Sequence, residues 1–458
     1  MTSPPASLQR RLGPLDGAAV VISNVIGGGI FFVPPIVAAL VPNPAAMLGV
    51  WVIGGALALA GAMAYAELAA LRPQAGSEYV YLREAYGPLA AFLTGWTSFV
   101  AGFSGAIAAS AVGLADYLGR FVPAAADATP LFSVPLPFVR LIVSPKAVVA
   151  LSAIFALSWI HSRGLGPGRL VQNTLASLKT LGLVVFIGLG FAFARGDVAN
   201  LTAAPAPVAA SGLLLALVSV MFTYSGWNAA SYLAEEIRDP GRNVPLALGI
   251  GTGAVVLIYL ALNALYLYAM PATELATIEG GLIDRASERL FPFRVADAVA
   301  LFTLVSIAAS ISAMVFAGPR VYFAMARDGV FVRAAARVHP RFRTPSLAIF
   351  AQAAWSGVLV LSGSLSQLVS YTGFAVVLFS GIAVAGLFVL RRRNPDEPRP
   401  FRAWGYPLAP GIFVLAAAVM LANHVWSQPG PALAGLAIII AGIPVYWWFR
   451  KAGAEGRS

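Results

Sequence analysis

Apolar runs of about 20 residues recur along the whole chain, the length a helix rising 1.5 Å per residue needs to cross a hydrocarbon layer about 30 Å thick. The pattern predicts twelve helices, over residues 17–40, 46–71, 88–119, 147–163, 170–194, 210–236, 244–270, 295–326, 345–363, 366–390, 407–424 and 431–450. Two runs are broken in matching places: the first by Gly27, Gly28 and Gly29, the sixth by Tyr224, Ser225, Gly226, Trp227 and Asn228. Each glycine costs a helix interior roughly 1 kcal/mol against alanine, so three in succession are poor helix filler. Close packing of small residues is the plain alternative for the glycines alone, and the second, matching break weighs against it. Backbone groups freed at membrane depth need partners that lipid cannot supply, and the expected partner is a transported solute.

The fold class expected is all-α integral membrane. Runs one to five (17–194) and six to ten (210–390) each open on a broken helix, and because five is odd the second set must run in the opposite direction. That arrangement is an inverted repeat, with a binding site expected at the interface of its halves near mid-depth. Residues 407–450 add two helices outside the repeat; 1–16 and 451–458 read as tails. Between runs, 72–86 mixes charge with tyrosine and is expected to lie as an interfacial helix. Residues 273–291, with Leu275, Ile278 and Leu282 at helical spacing, are expected to form an external lid. The proline-studded stretch 121–146 reads as an irregular loop.

Composition agrees: 59% hydrophobic, 11% charged and a mean hydropathy of +0.81 over 458 residues, where a soluble chain carries about a quarter charged residues. No cleavable signal is expected in 1–15, which is polar and carries prolines. Cysteine is absent, so disulfides and thiolate ligands are excluded. The formal charge of +11 is explained by placement rather than by nucleic acid. With the N-terminus cytoplasmic, 22 of the 30 basic residues fall on the inner side and 7 on the outer, Lys179 lying within a span. The excess inside puts both termini in the cytoplasm.

A helix restarting after the glycines exposes unpaired N–H groups and the positive end of its dipole, which suits a carboxylate. Helix ends before the two breaks expose carbonyls, which suit an ammonium group. A zwitterion bearing both groups on one carbon fits, and Gly28 lets its carboxylate approach the backbone unobstructed.

The stretches Asn24–Phe31 (NVIGGGIF), Tyr65–Tyr81 (YAELAALRPQAGSEYVY), Phe222–Asn228 (FTYSGWN) and Glu235–Pro245 (EEIRDPGRNVP) resemble the amino acid, polyamine and organocation transporter superfamily, and the FxYxGWN element most resembles its L-type amino acid transporters. The resemblance implies a leucine-transporter-type fold working by alternating access. It also implies that the amides of Gly28 and Gly29, beside Gly27, bind substrate carboxylate, and that carbonyls of Val25, Phe222 and Ser225 bind the amino group. The Phe222 ring would gate the site, with Trp227 and Asn228 lining or bracing the unwound stretch. Two departures stand out: Gly28 replaces a frequent serine, removing a hydroxyl donor, and Ser225 replaces a common glycine, narrowing the space. Eukaryotic relatives are joined by a disulfide to a single-pass glycoprotein, so no such subunit is expected for a cysteine-free chain.

Lys179 lies ten residues beyond Arg169, about 15 Å deep, where insertion of a lysine costs about 2.5–3.5 kcal/mol. The resemblance implies that it occupies the place of a sodium ion, joining the broken first helix to the eighth, with Ser310 and Ser312 as neighbours. A snorkelling side chain is the alternative. Elsewhere, Glu67, Glu235 and Glu236 read as interfacial charges, with gate pairs to Arg72 or Arg238 as the other reading. His161, His339 and His424 read as solvated. Asn243 and Thr344 read as helix caps, and Arg391–Arg393 as a topology anchor with a secondary contact to anionic lipid.

The expected function is therefore a sodium-independent carrier of neutral L-amino acids in the inner (plasma) membrane, an exchanger or proton symporter, acting as monomer or weak oligomer. A polyamine or cationic amino acid antiporter is the nearest alternative. A channel would want rings of polar groups along a pore, and no such stripe recurs. No cofactor, metal, nucleic-acid partner or enzymatic motif of the HExxH or GxSxG kind is expected.

Overall fold

The computed structural model describes residues 7–135, 140–193, 196–202, 207–278, 281–291, 295–363, 365–427 and 429–455. Arg195, Arg294 and Arg457 of the charge split lie outside them. The helices in chain order are α1 (Pro14–Val25), α2 (Gly29–Leu40), α3 (Pro44–Leu71), α4 (Glu78–Tyr86), α5 (Pro88–Thr97), α6 (Phe103–Leu118), α7 (Pro145–Ser162), α8 (Leu165–Phe193), α9 (Ala210–Thr223), α10 (Pro240–Ala269), α11 (Ala272–Leu275), α12 (Leu282–Leu290), α13 (Ala296–Ala317), α14 (Pro319–Arg327), α15 (Ser346–Ser362), α16 (Leu365–Arg393), α17 (Leu408–Ser427) and α18 (Pro429–Glu455). Among the described residues, nine helical stretches are long and apolar enough to cross a membrane, and the pair α1 and α2, bent by 52°, makes a tenth. Two further apolar helices, α9 and α15, are shorter. The protein is a multi-pass membrane protein whose apolar spans are all helical.

Local chemistry starts and joins these helices. Asn43 accepts the amide of Ala46 at 3.0 Å and Ser144 that of Ala147 at 3.2 Å, each followed by a proline at the first helical position, where its missing N–H costs nothing. Between α5 and α6 the helix widens into one π turn, Ser98–Gly102. That turn leaves carbonyls for side chains: Tyr322 donates to Ser98 at 3.1 Å and Trp355 to Val100 at 2.9 Å, as backbone at membrane depth requires.

The core runs between α1, α3, α10 and α13, with Trp51, Tyr65, Tyr259 and Tyr266 buried. Leu170 and Leu181 on α8, Leu415 on α17 and Leu433 and Trp448 on α18 remain exposed, an outer apolar belt suited to acyl chains.

Two loop expectations change, and the helical spacing of a third is seen. Residues 121–146 hold an antiparallel strand pair, Phe132–Pro135 with Arg140–Val143. The charged stretch after α3 does form a helix, α4, but Tyr79, Val80, Tyr81 and Leu82 are buried. It therefore packs under α5 and α16 rather than lying on the membrane surface, because its apolar residues cover both sides of the short helix. The expected lid is two short helices, α11 and α12, with Leu275 and Leu282 buried against the bundle.

Candidate substrate site at two broken helices

Both predicted breaks interrupt helix, and they face one another. α1 ends at Val25 and α2 starts at Gly29. α9 ends at Thr223, followed by turns through Asn228 and a 3-10 stretch, Ala229–Leu233. A Cβ on Gly29 would lie 3.2 Å from the Thr223 Cα, and one on Gly226 would lie 2.8 Å from the Asn24 side-chain nitrogen. Gly226 also has φ +99, a left-handed conformation that side chains rarely adopt. Glycine is thus required at Gly226 by backbone angle and contact, and at Gly29 a side chain would press against Thr223.

Gly28 is exposed, with Gly27, Gly29, Ser225 and Gly226 partly so, and the Phe222 ring beside them is 44% exposed. Among the described residues nothing accepts from the amides of Gly28, Gly29 and Ile30. The carbonyls are more committed. Val25 already receives the Gly27 amide at 2.8 Å and the Tyr259 hydroxyl at 2.9 Å, and Phe222 receives the Ser225 amide at 3.0 Å. The Ser225 carbonyl has no partner among the described residues. Trp227 does not reach the open space: it is buried edge-on to Tyr65 and Phe413. Asn228 braces the turn from below, donating to Glu78 at 2.7 Å.

Lys179 is fully buried. Its ammonium donates to the Ile26 carbonyl, to the Ser23 carbonyl at 3.1 Å and to the Ser310 hydroxyl at 2.9 Å. Three donors therefore meet three oxygens, joining α8 to the end of α1 and to α13. Oxygens of this kind also suit a small cation. Ser312, expected beside Lys179, instead meets His161 Nε2 at 2.9 Å. Two positions further along α13, it faces α7 rather than α8. His161 is correspondingly buried and stacks on Phe316, not solvated.

Sequence reasoning missed Tyr259, whose hydroxyl reaches both the Val25 carbonyl and, at 3.3 Å, that of Thr223. One side chain of α10 thus satisfies helix ends at both breaks. A lone tyrosine within an apolar run was the available signal.

Below the breaks, the end of the bundle where α1 begins and α18 ends is closed by charge. Glu236 takes a two-pronged pair from Arg320 at 2.8 and 2.9 Å, both side chains 1% exposed. Glu67 is held by Arg391 at 2.6 Å, Arg399 at 3.1 Å and the Ala403 amide at 2.7 Å. Arg327 pairs with Glu235 at 2.9 Å and Arg83 with Asp328 at 2.6 Å. The interfacial reading of Glu67 and Glu236 is therefore corrected: both are buried, and their partners are not Arg72 or Arg238. Arg72 turns to Glu397 at 2.6 Å, a contact that holds that carboxyl below its usual range. Arg391 is as much a structural ion as an anchor. Asn243 sits inside α10 and donates to the Arg238 carbonyl, while Thr344 donates to that of Ser162; neither caps its helix.

A model of the family described as amino acid permease matches residues 12–449. The chain belongs to the amino acid permease family. The permease is 29% identical to the human large neutral amino acids transporter small subunit 2 over 454 residues, covering 96% of this chain and 80% of the relative. It is likewise 29% identical to the human b(0,+)-type amino acid transporter 1, covering 97% and 88%. The mouse Asc-type amino acid transporter 1 is 28% identical, covering 96% and 81%.

Proposed function

We propose that this permease carries neutral L-amino acids across the plasma membrane by alternating access, with the paired breaks as the substrate cradle. The observation that carries the reading is the meeting of two interrupted helices around an exposed glycine whose neighbouring amides have no partner among the described residues. The substrate carboxylate takes the amides of Gly28 and Gly29, beside Gly27. Its ammonium takes the Ser225 carbonyl first and shares those of Phe222 and Val25, the latter by displacing a present donor. Phe222 closes over the site; Asn228 and Trp227 hold the turn from behind. Counting α9 with the 3-10 stretch after it and α15 as spans gives twelve, arranged as two oppositely oriented sets of five plus α17 and α18. The charge-closed end faces the cytoplasm with both termini.

Lys179 stands where a cation would otherwise hold α1 to α13, with Ser310 as its partner, so the cycle runs without sodium. With no cysteine to join a partner, the permease acts without a disulfide-linked subunit, as monomer or weak oligomer. The test is counterflow in proteoliposomes with each of the twenty amino acids: saturable uptake, accelerated by substrate on the far side, is expected for neutral ones. Flux that rises linearly and ignores far-side substrate rejects a carrier. Gly29→Leu, whose side chain presses on Thr223 and crowds the first break, is expected to abolish binding in a thermal-shift assay while the protein still inserts. Unchanged affinity would remove the first break from the site.

A further inference from the structure

Directly beneath the second break lies a carboxylate that the substrate cradle does not use. Glu78, the first residue of α4, accepts from the Tyr65 hydroxyl of α3 at 2.8 Å, the Asn228 amide at 2.7 Å and the Tyr232 hydroxyl at 2.7 Å. Asn228 belongs to the broken stretch and Tyr232 to the 3-10 turn after it. Among the described residues no arginine or lysine pairs with Glu78, although the neighbouring acids Glu67, Glu235 and Glu236 each have one. The residue as a whole is half-buried, where Lys179 is fully enclosed. The same short helix is fixed to α14 by Tyr79 and Arg83, which both donate to Asp328 at 2.8 and 2.6 Å. α4 thus joins the second break at one end to the charge-closed seal at the other.

We propose that Glu78 is a positioning residue for transport: its proton occupancy sets whether the second break stays clamped to α4 or parts from it as the charge-closed end opens. Among the described residues, the groups facing it are Tyr65 from α3, Tyr232 and Asn228 from the broken stretch, and Tyr81 from α4 itself, with Tyr322 beyond Tyr232. None of these supplies a full positive charge to the carboxylate. Burial therefore dominates and pushes the Glu78 carboxyl up, against the three donors that favour its anion.

The sign follows from linkage. The sealed arrangement holds a proton on Glu78 more tightly than water does, so acid favours the seal, and rising pH favours the opened arrangement in which the ionised carboxylate is hydrated. The proton held in the sealed state is released to the charge-closed side on opening, and the seal re-forms when the carboxylate takes one back from that side.

The proposal rests on the carrier reading, and the experiment separates the two. Counterflow of a neutral amino acid shown to bind is measured in proteoliposomes with the pH on the charge-closed side varied. The wild-type rate is expected to fall on acidification, toward the limit of about tenfold per pH unit set by one titrating group. Glu78→Gln should bind substrate, exchange slowly and respond little to pH, whereas Glu78→Asp should restore the pH response. Tyr232→Phe, which removes one donor to the anion, should move the midpoint to higher pH; a merely structural tyrosine would lower the rate without moving it. A Glu78→Gln variant that keeps the wild-type pH profile, or a Tyr232→Phe midpoint that stays in place, overturns the proposal. Wild-type flux that rises linearly and ignores far-side substrate at every pH would instead overturn the carrier reading.

Discussion

The two breaks are each held by one ionisable side chain that has no counter-ion among the described residues, and the two holders have opposite sign. Lys179 secures the first break with an ammonium whose three bonds go to two carbonyls and a hydroxyl. Glu78 secures the second with a carboxylate that accepts two hydroxyls and an amide. The residue bearing the cation is fully buried, while the one bearing the anion is half-buried. A charge met only by dipoles can gain or lose a proton, or part from its partners, without stranding an opposite charge, whereas breaking a buried ion pair by removing one partner leaves the other uncompensated. The pair Glu236–Arg320 supplies the contrast: two charges locked together, suited to a seal that must release as a unit.

The comparison can be broken in three places besides Glu78 itself. The largest effect is expected at Lys179→Ala, which strips three bonds from the end of α1 and leaves buried oxygens unmet at about 1–3 kcal/mol each. Uptake per inserted molecule should fall more than tenfold; transport equal to wild type would show that the cation does not hold the first break. Next is Arg320→Ala, expected to cost roughly 3–5 kcal/mol by stranding Glu236, with a lowered Tm. Adding Glu236→Ala should recover part of that loss, and a double variant worse than the single would argue against a pair acting as a unit. Smallest is Ser310→Ala, which leaves Lys179 two carbonyls and should weaken uptake by a few-fold, about 1 kcal/mol. Replacing sodium by choline in the same assay should change nothing, and a strict sodium requirement would contradict the role given to Lys179.

What was legible in the chain was whatever broke its apolar rhythm. Three consecutive glycines, a five-residue polar interruption and one lysine inside a run each violate the helix pattern locally, so they announce themselves without knowledge of neighbours. Lys179 and Ser310 meet in the structure as expected. Ser312 does not join them, because two positions along a helix turn a side chain well away from the first. The ion pairs were illegible for a different reason. Glu67 and Arg391 are 324 residues apart, and nothing in either neighbourhood specifies the other; among many arginines, nearest in sequence was the wrong guide. Tyr259 and His161 were undervalued because an isolated polar ring in an apolar helix is compatible with either packing or function until its partner is seen.

The residues ahead of α1 add one more consequence. Arg11 and Leu12 both donate their amides to the Glu236 carbonyl, at 2.9 and 3.0 Å, and Arg238 donates back to Leu12 at 2.9 Å, so a strand-like strap lies across the stretch that follows the second break. Glu236 therefore carries the strap on its main chain and Arg320 on its side chain. Unzipping of that strap would accompany any parting of the bundle at this end, which makes Arg11 and Leu12 a built-in reporter: a fluorophore placed beside them would change its surroundings each time the molecule turned over.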